Sequence, residues 1–360
     1  MPPFEQNEHE VASGLRPFRE LTRNELLVAS ANNVWGVARR SLSPNSFHRL
    51  TQVALWSLVA IVITGAAVRL TGSGLGCSDW PNCEDGQLVP AADFHGWVEF
   101  ANRLITGLVS IAVIAAVLGS LRLTPRRTDL IWASWGLVTG VVGQIVLGAI
   151  TVRTHLSPPI VMAHFLLSMV LIANAVVLVH RSDPVALQAR SAAAATLRIL
   201  SRVIVGVASV AVFTGTIVTA SGPHGGDEGV ERLNFDLPNV ARIHGATVVV
   251  LVCTTLLLLT MARRAPAANT DLSSGQSTIQ SANELIERRT RTALLIMFAQ
   301  AAIGYVQYFT DVPTALVAFH IAGATTMWIT VVRLLLVSED LAAMPTTSST
   351  RPNRPDRVPS

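Results

Sequence analysis

The sequence contains no lysine, only three cysteines and few charged residues of either sign. Charged residues make up 14% of the chain and hydrophobic residues 50%, which excludes an ordinary soluble domain and a disordered chain. Three cysteines are too few for a disulfide scaffold. All 27 basic residues are arginines, and most lie in short clusters between long apolar runs, so no nucleic-acid-binding stripe is expected. The remaining class is a membrane protein that crosses the bilayer several times.

Apolar runs long enough to cross a bilayer, roughly 20 residues each, occur eight times. They are approximately Leu50 to Val68, Trp97 to Leu121, Leu130 to Val152, Pro159 to Val179, Val203 to Ala220, Val240 to Met261, Ala293 to Phe309 and Thr314 to Val337. Each is predicted to be a helix, because lipid offers no partner to an exposed backbone amide or carbonyl. The predicted fold is therefore all-α, with eight transmembrane helices.

The arginine clusters predict the orientation of these helices. Clusters precede the first run, follow the second and eighth, and lie between the fourth and fifth and between the sixth and seventh. With eight crossings all these segments lie on one side, and the positive-inside rule places that side, with both termini, in the cytoplasm. Acidic residues concentrate in the loops after the first and fifth runs, on the outer side. No signal sequence is expected, and the predicted location is the cell membrane.

Several residues recur at a constant offset between the two halves of the chain. The third and fourth runs match the seventh and eighth, with Gln144, Gly148, Thr154, Val161 and His164 recurring as Gln300, Gly304, Thr310, Val317 and His320. A weaker match links Thr64, Gly65 and Val68 with Thr214, Gly215 and Val218. We interpret the chain as two four-helix bundles of common origin, residues 48–181 and 203–338, related by an axis along the membrane normal.

Polar segments flank and separate the two predicted bundles. Residues 1–47 are a predicted cytoplasmic segment, within which Glu20 to Trp35 is either an amphipathic surface helix or disordered. Residues 182–202 and 263–291 are predicted cytoplasmic linkers, the second because residues 265–283 are rich in Ser, Asn, Thr and Gln; residues 70–96 form an outer loop with two cysteines; residues 339–360 are a predicted disordered tail.

Three histidines lie inside the predicted spans at one depth. His164 and His320 follow the outer start of their helices by about six residues and His244 by about four, which places them roughly 6 to 9 Å below the outer surface. A single buried histidine is as often structural as functional. The recurrence of these histidines favours function, and we interpret His244 and His320 as two axial ligands of one haem.

The matching site in the first bundle lacks a second histidine. His164 corresponds to His320, and its partner on the second helix is expected at Asn102. Asparagine is a poor iron ligand, so this site is either five-coordinate through His164 or uses another group. His95 lies seven residues before Asn102, about 10 Å nearer the outside, and is a ligand only if the helix begins early or bends.

Charged residues and cysteines lie close to these positions. Glu99 and Arg103 are four residues apart, so they form an interfacial salt bridge, or Glu99 serves an iron site as a proton donor or substrate-orienting carboxylate. Arg103 and Arg242 either bind haem propionates or extend to lipid headgroups. Cys77 and Cys83 lie in the first outer loop, where the oxidising compartment predicts a disulfide. Its role, structural or redox-active, stays open.

Over about residues 48–338 the chain resembles the haem A synthase family. The likeness rests on Thr64 to Trp80 followed by Pro81 and Cys83, on Glu99 with Arg103, and on three histidines, His164, His244 in the run Arg242-Ile243-His244-Gly245, and His320. The resemblance implies a membrane enzyme that oxidises the C8 methyl group of haem O to a formyl group, giving haem A for cytochrome oxidase. It implies two successive hydroxylations and then loss of water from a geminal diol.

The resemblance also implies roles for individual residues. His244 and His320 would hold a haem b that carries electrons, His164 the substrate haem, and Glu99 would be the essential carboxylate. Asn102 departs from the family, which commonly has a histidine there, while Cys77 and Cys83 match a cysteine pair of many bacterial members. The implied partners are haem O synthase, cytochrome oxidase assembly and the lipid bilayer. Whether the chain forms a homo-oligomer is left open by the sequence, and no nucleic-acid partner is expected.

Two other classes of function fit parts of the sequence. A two-haem electron-transfer protein of cytochrome b type explains matched histidines, but it predicts a ligand pair in each bundle, and Asn102 removes one ligand. A transporter built from repeats ranks last, because the polar residues within the spans cluster at the outer edge and not at the midplane.

Overall fold

Eight α-helices account for most of the chain in this computed structural model. The residues that it describes are 41–84, 86–184, 195–264 and 276–342. The helices are α1 (Pro44–Leu70), α2 (Phe94–Leu121), α3 (Thr128–Arg153), α4 (Pro158–Ser182), α5 (Ala195–Ser221), α6 (Leu237–Arg264), α7 (Gln276–Phe309) and α8 (Thr314–Ala342). All eight are long and apolar enough to cross a membrane, and these ranges contain no strand beyond two isolated bridges. The prediction of an all-α protein with eight spanning helices is confirmed.

Local sequence signals fix where the helices begin. The Ser43 side chain accepts a hydrogen bond from the Ser46 amide, and Pro44 occupies the first turn of α1. At α2 the Asp93 carboxylate accepts from the Gly96 amide. This cap starts α2 three residues before the apolar run, so His95 lies in the first helical turn.

Helix α7 is longer than the sequence predicted. It begins at Gln276, so residues 276–291 of the predicted cytoplasmic linker 263–291 are helical. Ile286 and Thr290 are fully buried on one face of this segment. On its other side Glu287 pairs with Arg291 one turn later and with Arg263 of α6. Amphipathic spacing therefore outweighs composition here. Most of the predicted N-terminal segment and tail lies outside the described residues.

The helices pack as two rings of four. In the first ring α1 contacts α2 and α4, and α3 also contacts α2 and α4; α5 to α8 repeat this arrangement. The rings meet where α8 contacts α1 and α4 and where α4 contacts α5. At this seam the Trp328 indole of α8 donates to the Met169 carbonyl of α4 over 2.8 Å. A buried indole needs such a partner, and helices in lipid associate through close packing and hydrogen bonds of this kind.

Loops of the two rings interlock at one end of the protein. The Arg69 guanidinium at the end of α1 donates to the Thr219 carbonyl in the last turn of α5 (2.9 Å) and to the His224 carbonyl (2.6 Å). The Gly74 amide donates to the Gly226 carbonyl over 2.8 Å. We call this side, formed by loops 71–93, 154–157, 222–236 and 310–313, the disulfide end. Its hydrogen bonds fix the two rings against each other.

Candidate functional site

His244 of α6 and His320 of α8 face each other inside the second ring, near the disulfide end. Their ring centroids are 6.4 Å apart and their planes are inclined by 73°. A ring nitrogen bound to a transition metal lies roughly 2 Å from it, so two imidazoles on one ion have centroids about 6 Å apart. The separation therefore suits two axial ligands of one iron.

A threonine orients the His244 ring. His244 Nδ1 lies 3.1 Å from Thr214 Oγ1, and Thr214 Oγ1 donates its own proton to the Val210 carbonyl over 2.9 Å. The hydroxyl therefore accepts from Nδ1–H, which leaves the lone pair of Nε2 free. A second hydrogen bond that fixes tautomer and ring orientation is the usual companion of a metal-binding histidine.

Glycines on the neighbouring helices make room for the imidazole rings of both histidines. A Cβ on Gly215 of α5 would lie 3.2 Å from His244 Cε1, and one on Gly304 of α7 would lie 3.3 Å from His320 Cε1. His320 Nδ1 is buried without a hydrogen-bond partner in the described part of the chain. Leaving such a nitrogen unpaired costs about 1 to 3 kcal/mol. A ring placed this tightly at that cost fits the binding of a prosthetic group.

His164 of α4 repeats the surroundings of His320 in the first ring. Its Nδ1 is likewise buried and unpartnered among the described residues. The Gln144 amide of α3 donates to the His164 carbonyl (3.0 Å) and to Ser168 Oγ (2.8 Å), which fixes the backbone at this histidine. A Cβ on Gly148 would lie 3.7 Å from His164 Cε1. In each ring of four helices, the histidine of the fourth helix therefore lies beside a glycine of the third helix.

Asn102 of α2 takes the hydrogen-bonding place of His244. The Thr64 hydroxyl of α1 donates to Asn102 Oδ1 over 2.8 Å, as the hydroxyl of Thr214 on α5 pairs with His244. A Cβ on Gly65 would have nothing within 4 Å, whereas the corresponding Gly215 lies against the His244 imidazole. The first ring thus has a threonine, an asparagine and open space where the second has a threonine and a histidine.

The predicted disulfide between Cys77 and Cys83 is present, and both cysteines are fully buried. The Cys77 amide donates to Glu99 Oε2 over 2.8 Å. Arg103 Nη2 donates to Glu99 Oε1 over 2.6 Å, which is the salt bridge that the spacing predicted. Arg103 also donates to the carbonyls of Asn82 (2.9 Å) and Asp79 (3.1 Å). The buried Glu99 carboxylate, 6% exposed as a residue, is thereby held under the disulfide loop.

Two further predicted site residues have other partners. His95 Nδ1 is 2.9 Å from Ser73 Oγ, at the loop end of α2. The exposed Arg242 donates to Asn239 Oδ1 over 3.2 Å, one turn earlier on α6. The sequence did not predict the Cys77 amide as a partner of Glu99. It did contain the recurring Thr-Gly pair, but not the identity of the side chains that these threonines bind.

The described residues thus define a polytopic helical membrane protein with a facing histidine pair in one bundle and a single histidine at the same depth in the other. Residues 48–223 match the family model COX15-CtaA, described as "Cytochrome oxidase assembly protein". The match covers just under half of the chain, and the resemblance to haem A synthases is confirmed.

Two of the relatives that match parts of the chain are named Heme A synthase. The chain is 31% identical over 140 residues to the Heme A synthase of Geobacillus kaustophilus, covering 39% of this chain and 43% of the relative. It is 35% identical over 105 residues to the Heme A synthase of Geobacillus thermodenitrificans, covering 29% and 32%. A Protoheme IX farnesyltransferase of Thermus thermophilus is 41% identical over 76 residues, covering 21% of this chain and 12% of the relative. Each alignment spans less than half of the relative.

Proposed function

We propose that the protein is a haem A synthase, which oxidises the C8 methyl group of haem O to a formyl group and so provides haem A for cytochrome oxidase. The observation that carries the proposal is the facing pair of His244 and His320, whose centroids are 6.4 Å apart. The relatives named Heme A synthase support the same activity.

The second bundle, residues 203–338, is proposed to hold a haem b between His244 and His320. When bound, this haem supplies one-electron transfer. Thr214 keeps His244 Nε2 unprotonated and in position, while Gly215 and Gly304 leave room for the two imidazoles. The exposed Arg242 lies two residues before His244 and is proposed to contact a propionate at the edge of this site.

The first bundle, residues 48–181, is proposed to bind haem O as the substrate, with His164 as the protein ligand of its iron. The shared surroundings of His164 and His320 support this assignment and also the common origin of the two bundles. Asn102 contributes an amide rather than a ligand. His95 is not proposed as a ligand, because it lies seven residues before Asn102, about 10 Å nearer the disulfide end.

Glu99 is the proposed acid–base residue of the first bundle. Two hydroxylations of a methyl group and the loss of water from the resulting geminal diol would each require proton transfer close to the reacting carbon. Each Glu99 oxygen accepts one hydrogen bond, from Cys77 or from Arg103, and retains a further acceptor site for a proton or a water. Arg103 is proposed as a positioning residue, since its guanidinium donates to Glu99 and to carbonyls of the disulfide loop.

The surroundings of the protein are proposed on the same grounds. The arginine clusters support an orientation with both termini in the cytoplasm and the disulfide end outside, where an oxidising compartment would maintain the Cys77–Cys83 bond. Haem O synthase would supply the substrate, and the partial likeness to a protoheme farnesyltransferase is compatible with that link. The lipid bilayer would surround the eight helices.

The proposal is tested by purifying the full chain from cells that make haem O, extracting the haem and separating it chromatographically. Haem b together with haem O and haem A is expected. Glu99→Gln should retain haem but lose conversion of haem O by about 100-fold or more. Haem b alone at two per chain would contradict the proposal and indicate an electron carrier, and a protein without haem would exclude both.

A further inference from the structure

We infer that the first-bundle site has a single protein ligand, His164, and keeps an open coordination position beside Asn102 that binds a small exogenous ligand such as carbon monoxide. The inference rests on the proposed function, since it requires a haem iron at His164. It extends that function by distinguishing the coordination chemistry of the two bundles.

Asparagine is a poor iron ligand, and a hydrogen bond holds the side-chain oxygen of Asn102 on Thr64. This Oδ1, the better donor atom toward a metal, accepts the Thr64 proton over 2.8 Å. The other atom of the amide is an NH₂ group, which donates two hydrogen bonds and has no lone pair to give. In the second bundle the same threonine position binds Nδ1 of His244 and so directs the opposite nitrogen into the bundle. One scaffold thus produces a ligand at His244 and a hydrogen-bond donor at Asn102.

The space beside Asn102 is consistent with an open position. In the second bundle the His244 imidazole fills the volume next to Gly215, where a Cβ would lie only 3.2 Å from the ring. In the first bundle a Cβ on Gly65 would meet nothing within 4 Å. Because asparagine is shorter than histidine, the volume that an imidazole occupies in one bundle is free in the other.

Neighbouring side chains of α2 do not replace the missing ligand. The Glu99 carboxylate lies one turn before Asn102 and is held under the disulfide loop by the Cys77 amide and by Arg103. Thr106 donates its hydroxyl to the Asn102 carbonyl over 3.1 Å. His95 lies two helical turns from Asn102, about 10 Å along the axis, and is therefore too far along α2 to take its place. The NH₂ group of Asn102, which has no hydrogen-bond partner within the described ranges, is therefore the polar group best placed to meet a small ligand at this position.

Carbon monoxide titration of the reduced full chain in detergent tests the inference. A haem with two histidine ligands has no free position, so the second bundle should not respond, and uptake of one carbon monoxide per chain is expected. In Asn102→His the new imidazole fits beside Gly65 and pairs with Thr64. This variant should lower carbon monoxide affinity by about tenfold or more and convert the first haem to the low-spin spectrum of a bis-histidine site.

Asn102→Ala is the matched control, because it removes the amide and leaves the position open. It should retain uptake of one carbon monoxide per chain. A haem-loaded wild type that binds no carbon monoxide, or whose two haems both show bis-ligated low-spin spectra before any addition, would overturn the inference and leave the proposed function intact. A chain that purifies without haem would overturn the proposed function and this inference with it.

Discussion

The two bundles share their helix arrangement and differ in the residues that face the interior near the disulfide end. Each has a Thr-Gly pair on its first helix, a glycine on its third and a histidine on its fourth. The second bundle adds His244, which pairs with Thr214, whereas the first has Asn102 on Thr64. A single side chain on an otherwise similar scaffold therefore distinguishes the proposed two-ligand site of the second bundle from the proposed one-ligand site of the first. Chemistry is set by the residues of a site and not by its fold.

The loops above the two bundles differ as well. The α1–α2 loop of the first bundle contains the disulfide and delivers the Cys77 amide to Glu99. The α5–α6 loop of the second bundle has no cysteine and is held to the first bundle by Arg69 and by the Gly74 to Gly226 hydrogen bond. The first loop holds a buried carboxylate, while the second loop connects the two bundles through hydrogen bonds. This contrast agrees with substrate chemistry in the first bundle and electron storage in the second.

The largest expected effects come from removing a histidine from one bundle or from the other. His320→Ala removes one half of the facing pair, so the second bundle should lose its haem and the chain its conversion of haem O. His164→Ala should instead reduce haem in the first bundle and abolish carbon monoxide uptake. Haem content per chain and electron paramagnetic resonance distinguish the two losses. The exposed His155, at φ 51°, provides the control His155→Asn, which should change neither haem. Equal losses of both haems in His320→Ala would contradict independent sites.

Much of this fold follows from the sequence, and part of the site does. Apolar runs predict eight helices because lipid demands internal hydrogen bonds, and the common depth of His244 and His320 predicts that they meet. The extension of α7 was missed because its buried Ile286 and Thr290 lie within a polar stretch. The hydrogen bond from the Cys77 amide to Glu99 was not predicted, because backbone donors in an irregular loop have no recognisable sequence pattern.

The second prediction concerns the loop of the first bundle. In the double variant Cys77→Ser with Cys83→Ser the loop is free to move, so the Cys77 amide no longer fixes Glu99. Loss of this short cross-link should cost about 2 kcal/mol of stability, and a less fixed carboxylate should lower the conversion of haem O by about tenfold. Haem content of the second bundle should not change. Chromatography of extracted haem and thermal unfolding measure these effects.

Arg103→Gln sharpens the same comparison. It removes the charged clamp on Asp79, Asn82 and Glu99 while the disulfide remains. It should lower conversion and also stability, because it leaves the buried Glu99 carboxylate without its cationic partner. Cys253→Ser is the control, because this free cysteine is exposed on α6. Full conversion in the double cysteine variant would show that the disulfide has no part in placing Glu99.

The smallest expected effect compares two glycines. A Cβ on Gly215 would lie 3.2 Å from His244 Cε1, so Gly215→Ala should push the ring by a few tenths of an ångström and shift the absorption or potential of the second-bundle haem. Gly65→Ala meets nothing within 4 Å and should leave both haem spectra unchanged. Both variants gain up to about 1 kcal/mol of helix propensity, so the difference between their unfolding temperatures isolates the steric contribution. Identical spectra and stabilities of the two variants would mean that the His244 ring is not confined by α5. The contrast between a filled position in the second bundle and an open one in the first would then rest on the hydrogen bonds of Thr64 and Thr214 alone.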